Sequence, residues 1–70
     1  MFKEYRIKRG YTQEKLAELT DIDPRNIQRI ENENHLPNII SFAKLVLVLE
    51  ISDEDIIKYL KKISKNKTSE

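Results

Sequence analysis

Residues 12–32, TQEKLAELTDIDPRNIQRIEN, spell two short amphipathic helices and the turn between them. Thr12 stands where a helix needs an N-cap, because its hydroxyl can accept from one of the amides left open at a helix start. Tyr11, just before it, is placed to staple onto Leu16, one turn inside. The second helix repeats the device. Asp23 caps, Pro24 takes the first helical position, where its missing N–H costs nothing, and Ile22 staples onto Ile27. Residues 20–22 are left as a tight turn. Two helices of this length on such a turn make a helix-turn-helix layout.

Working outward, the same punctuation places three more helices. The first is predicted over residues 2–9 and stops at Gly10, which takes a left-handed cap without steric cost. The fourth begins at Asn38 after Pro37, with Phe42, Leu45, Val46 and Leu49 in one stripe at i, i+3, i+4 and i+7. The fifth begins at Ser52 with a capping box to Asp55 and an Ile51 to Ile56 staple. Ile56, Ile57, Leu60 and Ile63 then give it an apolar stripe wider than one neighbour needs. No strand-like alternation occurs, so the expected fold is all-α, a compact five-helix bundle with the helix-turn-helix at helices 2 and 3. Residues 1–64 are expected to form one domain and residues 65–70 a frayed tail.

Composition narrows the function. Seventy residues build one core, and a domain near this size buries only about 60% of its unfolded surface, so a second subunit is expected. The chain has no cysteine and one histidine, His35, expected in an exposed loop, so no metal or other cofactor is expected. The longest apolar run, residues 45–49, is far below the roughly 20 residues of a membrane span, and no leader-like segment opens the chain. A cytoplasmic protein without membrane contact is the expectation.

The formal net charge is only +1, which by itself weighs mildly against a polyanionic partner. Distribution matters more. Glu14, Glu18, Asp21, Asp23, Asp53, Glu54 and Asp55 fall in or beside helix starts, where negative charge is favourable. Residues 58–67 carry five lysines and no acid, read as a solvated face. Asp21 and Asp23 begin like a calcium loop, but Arg25, Asn26 and Asn32 occupy positions that need an oxygen ligand, a glycine and a bidentate glutamate. The acids at 53–55 are accounted for by capping and dipole compensation. No set of side chains meets the geometric needs of an active site, so catalysis is not expected.

The 12–32 segment resembles the Cro/C-type phage repressors, also called the xenobiotic response element family of transcriptional regulators. In that family TQ, LA, a central hydrophobic residue, I-x-x-I-E and a later proline recur. Gln13, Leu16, Ala17, Ile22, Ile27, Ile30, Glu31 and Pro37 stand in those places. Arg6 lies where the family has a first-helix arginine, and residues 45–51 resemble its fourth-helix ending. The resemblance implies a lambda repressor-like fold, a phosphate contact at Gln13, and an ion pair between Arg6 and Glu31 that sets the angle of the third helix. Two departures stand out. Asp21 replaces the usual glycine of the turn, a mild strain, and Glu33 replaces the glycine after the third helix, which implies a different loop geometry there.

The residues support the same reading directly. At about 100° per residue, Ile27 and Ile30 point one way while Arg25, Gln28, Arg29 and Asn32 share the opposite face. Arginine can bind guanine through O6 and N7, and glutamine can bind adenine through N6 and N7. Arg25, Asn26, Gln28 and Arg29 are therefore the expected base-reading residues. Gln13, Asn32, Lys8 and Arg9 are the expected phosphate contacts. The expected partner is double-stranded DNA with an inverted-repeat operator, bound by a homodimer through Ile56, Ile57, Tyr59, Leu60 and Ile63 of the fifth helix. With no room for a ligand domain, regulation by concentration or by a partner protein is expected. A protein-interaction module of the same fold, such as an antitoxin-like partner or adaptor, is the competing reading.

Overall fold

The computed structural model of the chain describes residues 1–66, and Thr12, Asp23, Asn38 and Ser52 each cap a helix as the sequence requires. The elements are α1 (Phe2–Lys8), α2 (Gln13–Thr20), α3 (Pro24–Glu31), α4 (Ile39–Leu49) and α5 (Asp53–Asn66), with no strand among the described residues. Thr12 Oγ1 accepts from the Lys15 amide at 2.9 Å, Asp23 Oδ1 from the Arg25 amide at 2.8 Å, and Asn38 Oδ1 from the Ser41 amide at 2.8 Å. α5 continues through Asn66, past the point at which a frayed tail was expected; residues 67–70 of that tail lie outside the described residues.

Helix ends are closed by left-handed residues. Gly10 does this after α1 with φ +76°. Asp21 after α2 has φ 58° and Glu50 after α4 has φ 53°, followed by buried Ile22 and Ile51, which tuck under the core. Glu33 ends α3 in the same way. With φ 62° it takes a left-handed conformation that glycine adopts freely. The Glu33 amide donates to the Ile30 carbonyl and the Asn34 amide to the Arg29 carbonyl, both at 3.1 Å, which is the Schellman pattern. Two backbone bonds and a cleanly ended α3 offset the strain of a side chain at that φ.

Leu16, Ile27, Leu45 and Leu49 are fully buried and bring α2, α3 and α4 together. α1 and α5 join through aromatic rings. Phe2 meets Phe42 edge-on at 6.2 Å and Tyr59 edge-on at 5.2 Å, while Phe42 stacks on Tyr59 at 5.6 Å. Such contacts are favoured by the ring quadrupole beyond the area they bury. Of the expected dimer surface, Ile56 and Tyr59 are half-buried and pack against the chain's own core. Ile57 and Leu60 remain exposed, at 50% and 42%, and Ile63 is half-buried.

The start of α5 differs from a simple capping box. Ser52 Oγ accepts from the Asp55 amide at 3.2 Å, but the reciprocal bond runs through Tyr5 of α1. The Ser52 amide donates to the Tyr5 hydroxyl oxygen at 3.2 Å, and that hydroxyl donates to Asp55 Oδ2 at 2.5 Å. A phenol from a distant helix thus takes over half of a local motif. The Tyr5 bond above all, with Ser52 and the charges of Lys58 and Lys8 behind it, holds the Asp55 carboxyl below its ordinary range against desolvation.

Two outcomes follow from these features. Glu33→Gly relieves a left-handed side chain at about 1–2 kcal/mol against a backbone entropy loss of about 0.5–1 kcal/mol. The thermal midpoint is therefore expected to rise by a few degrees in a calorimetric or circular dichroism melt. Tyr5→Phe removes the bridge between α1 and α5 and is expected to lower the midpoint of urea unfolding. Because the Asp55 pKa is depressed in the folded state, its contribution is present above the unfolded carboxylate value and is lost as pH falls through the folded one. The acid limb of stability should accordingly be shallower in Tyr5→Phe than in the parent.

Candidate nucleic-acid interface

α3 is two turns of helix laid across the core by Ile27 and Ile30, which are buried, and this turns the remaining side chains outward. Arg25, Asn26, Gln28 and Arg29 are all exposed, and among the described residues none of their side chains makes a hydrogen bond or ion pair within the chain. Asn32 caps the helix at its far end and is likewise exposed. The outward face is therefore a set of unengaged donors and acceptors on a rigid element. That is what base-edge recognition in a major groove needs.

The angle of α3 is held from beneath. Arg6 Nε donates to Glu31 Oε2 at 2.6 Å and Nη2 to Oε1 at 3.1 Å, with side-chain exposures of 12% for Arg6 and 2% for Glu31. The third donor, Nη1, reaches the Tyr11 carbonyl at 2.8 Å. Gln13 Nε2 adds a bond to Glu31 Oε1 at 3.0 Å. One carboxylate thus joins α1, the first residue of α2 and the last of α3. The Arg6–Glu31 pair stands as the sequence implied, and the Gln13 bond adds a structural role to an amide expected at a phosphate.

One expected phosphate contact, Arg9, is engaged within the chain. Arg9 Nε donates to the Leu49 carbonyl at 2.7 Å and Nη2 pairs with Glu50 at 3.2 Å, so this guanidinium closes the C-terminus of α4. Lys8 is exposed and lies near enough to Asp55 to act on its carboxyl. The Arg9 side chain therefore serves α4. His35 is exposed in the loop before α4. Beside the start of α3, Glu14, Glu18, Asp21 and Asp23 line a shallow acidic depression with Pro24, leaving Arg25 and Arg29 as the cations of the α3 face. Sequence reading also passed over Ile39, Ile40 and Leu47 of α4, exposed at 76%, 65% and 75%. Their signal was an apolar run too continuous for a helix with one buried face.

A family model described as a helix-turn-helix domain matches residues 1–65. The chain belongs to that family, a helix-turn-helix domain of the Cro/C1/XRE type, and is in general terms a DNA-binding regulator. No curated protein and no solved structure matches it. No helix among the described residues is long and apolar enough to cross a membrane.

The buried carboxylate is the point at which the presentation of α3 can be tested. Glu31→Ala leaves Arg6 mostly buried without its charge partner and is expected to cost roughly 3 kcal/mol or more in denaturant titration. Loss of less than about 1 kcal/mol, the range of an exposed pair, would show that the pair does not hold the two helices.

Proposed function

We propose that this chain is a sequence-specific transcriptional repressor that reads double-stranded DNA with α3 in the major groove. The supporting observation is the exposed and unengaged state of Arg25, Asn26, Gln28 and Arg29 above buried Ile27 and Ile30. Arg25 and Arg29 suit guanine edges, Gln28 suits adenine, and Asn26 lies at the border between base and backbone. Gln13 keeps one amide hydrogen beyond its bond to Glu31, and with the open amides of α2 it serves a phosphate. Asn32 is assigned to backbone contact, while Arg9, bound to α4, is left out of the set.

The working unit in this reading is a homodimer on an inverted-repeat operator, with half-sites about one helical turn apart. Leu60 and Ile63 of α5 line one groove with Leu36 and Ile39, and with Ile57 nearby on α5 they make the apolar surface proposed for the dimer. Occupancy of the operator would block polymerase. The exposed Ile40 and Leu47 also favour a second reading, in which the chain is a protein-interaction module of the same fold, such as an antitoxin-like partner or adaptor. Binding measured against salt separates the two, since phosphate neutralisation gives a steep negative slope and apolar contact does not.

Selection of bound sequences from a random duplex pool is the direct test, and an inverted repeat is the expected result. Arg25→Ala and Arg29→Ala are each expected to weaken the selected site by about 1–3 kcal/mol and relax preference at one base pair. Gln13→Ala is expected to weaken all sequences alike. Equal losses on every sequence for all three variants would contradict the assignment.

A further inference from the structure

Charge is segregated along this chain in a way that the small net value conceals. Residues 1–57 contain eight Lys and Arg against eleven Asp and Glu, a net of −3, while residues 58–70 contain five lysines and one glutamate, a net of +4. The part of the molecule that carries α3 is thus acidic as a whole. Its cations, Arg25 and Arg29 of α3 among them, are outnumbered by acids. We infer that the lysine face of α5, Lys58, Lys61, Lys62 and Lys65, is a second DNA-backbone contact that supplies most of the electrostatic affinity, an inference that rests on the DNA-binding reading above.

The geometry of α5 supports this. The four lysines fall at i, i+3, i+4 and i+7, so at about 100° per residue they share one face opposite Ile56, Leu60 and Ile63. All four are exposed. The stripe is about 10 Å long at 1.5 Å per residue, and one DNA strand carries a charge about every 3.4 Å along the axis, so it spans about three phosphates. Among the described residues, Lys58 has a distant pair to Glu54 at 3.8 Å, and Lys61, Lys62 and Lys65 have no acid within ion-pair distance. Glu4 and Asp55 flank Lys58 and Lys62 across the α1 side, but Glu4 is held by the Met1 amine at 3.1 Å and Asp55 by Tyr5.

Compensation of the helix dipole does not account for the stripe, because the effect is confined to the last turn and Lys58 and Lys61 lie before it. An anionic membrane is the weaker candidate. A helix that lies in a lipid interface must bury its apolar face there, and α5 has committed Ile56 and Tyr59 to the core.

The test compares the parent chain with K58Q/K61Q/K62Q/K65Q, and with the four corresponding arginine substitutions as a charge-retaining control, all verified as helical by circular dichroism. Binding to the selected duplex is measured from 50 to 300 mM salt, on a duplex of one operator length and on one extended at both ends. The glutamine variant is expected to lose about 2–3 from the magnitude of the log–log salt slope, with its base preference unchanged, and the arginine variant to keep the parent slope. Loss on both duplexes places the stripe on operator DNA, and loss on the extended one alone places it on flanking DNA. An unchanged slope, or an effect seen only with anionic lipid vesicles, overturns the inference while leaving the reading of α3 intact. Failure of the parent chain to bind any duplex would instead remove the DNA-binding reading itself.

Discussion

The buried contact of Arg6 with Glu31 governs how this small domain presents α3. A carboxylate at 2% exposure is tolerable only if its charge and lone pairs are satisfied. Arg6 and Gln13 do this from two other helices, so three elements converge on one residue. Desolvation makes such a pair a modest source of net stability and a strong source of geometry, since few other arrangements of the three helices would satisfy it. The outward face of α3 is consequently set by a polar contact behind it as much as by Ile27 and Ile30 beneath it.

The remaining scaffold shows how a 70-residue chain reaches a defined structure with a limited core. Three helices end on acidic residues in the left-handed region, each a local strain offset by the carbonyl that its turn satisfies. Arg9 closes α4 from outside, and Tyr5 completes the cap of α5. These contacts place hydrogen bonds at helix ends, where the unpaired groups lie. Among the described residues no buried side-chain nitrogen or oxygen lacks a partner.

What the sequence did not reveal is mostly a matter of side chains with two possible employers. Arg9 is a cation at the end of α1, equally suited to a phosphate, to its own helix dipole, or to a carbonyl forty residues away; the tertiary arrangement selected the Leu49 carbonyl. Tyr59 and Ile56 lie on an apolar stripe that could meet another subunit or the chain itself. Packing of Tyr59 against Phe2 and Phe42 decided for the chain. At Glu33 the penalty for a side chain at positive φ is small enough to be offset by two backbone bonds that the sequence alone does not display.

The helices themselves, their starts, and the division of α3 into a buried and an exposed face are properties of local spacing. Caps, prolines and the apolar period act within a few residues, so Thr12, Asp23, Asn38 and Ser52 could be read without a fold. The helix-turn-helix layout and the resemblance it carries were determined at that level. Only the tertiary structure decided which polar groups remained unengaged. Hydrogen-bond partners distant in sequence engaged Arg9 at the end of α4 and tied Gln13 to Glu31, whereas among the described residues none claimed the side chains of Arg25, Asn26, Gln28 or Arg29.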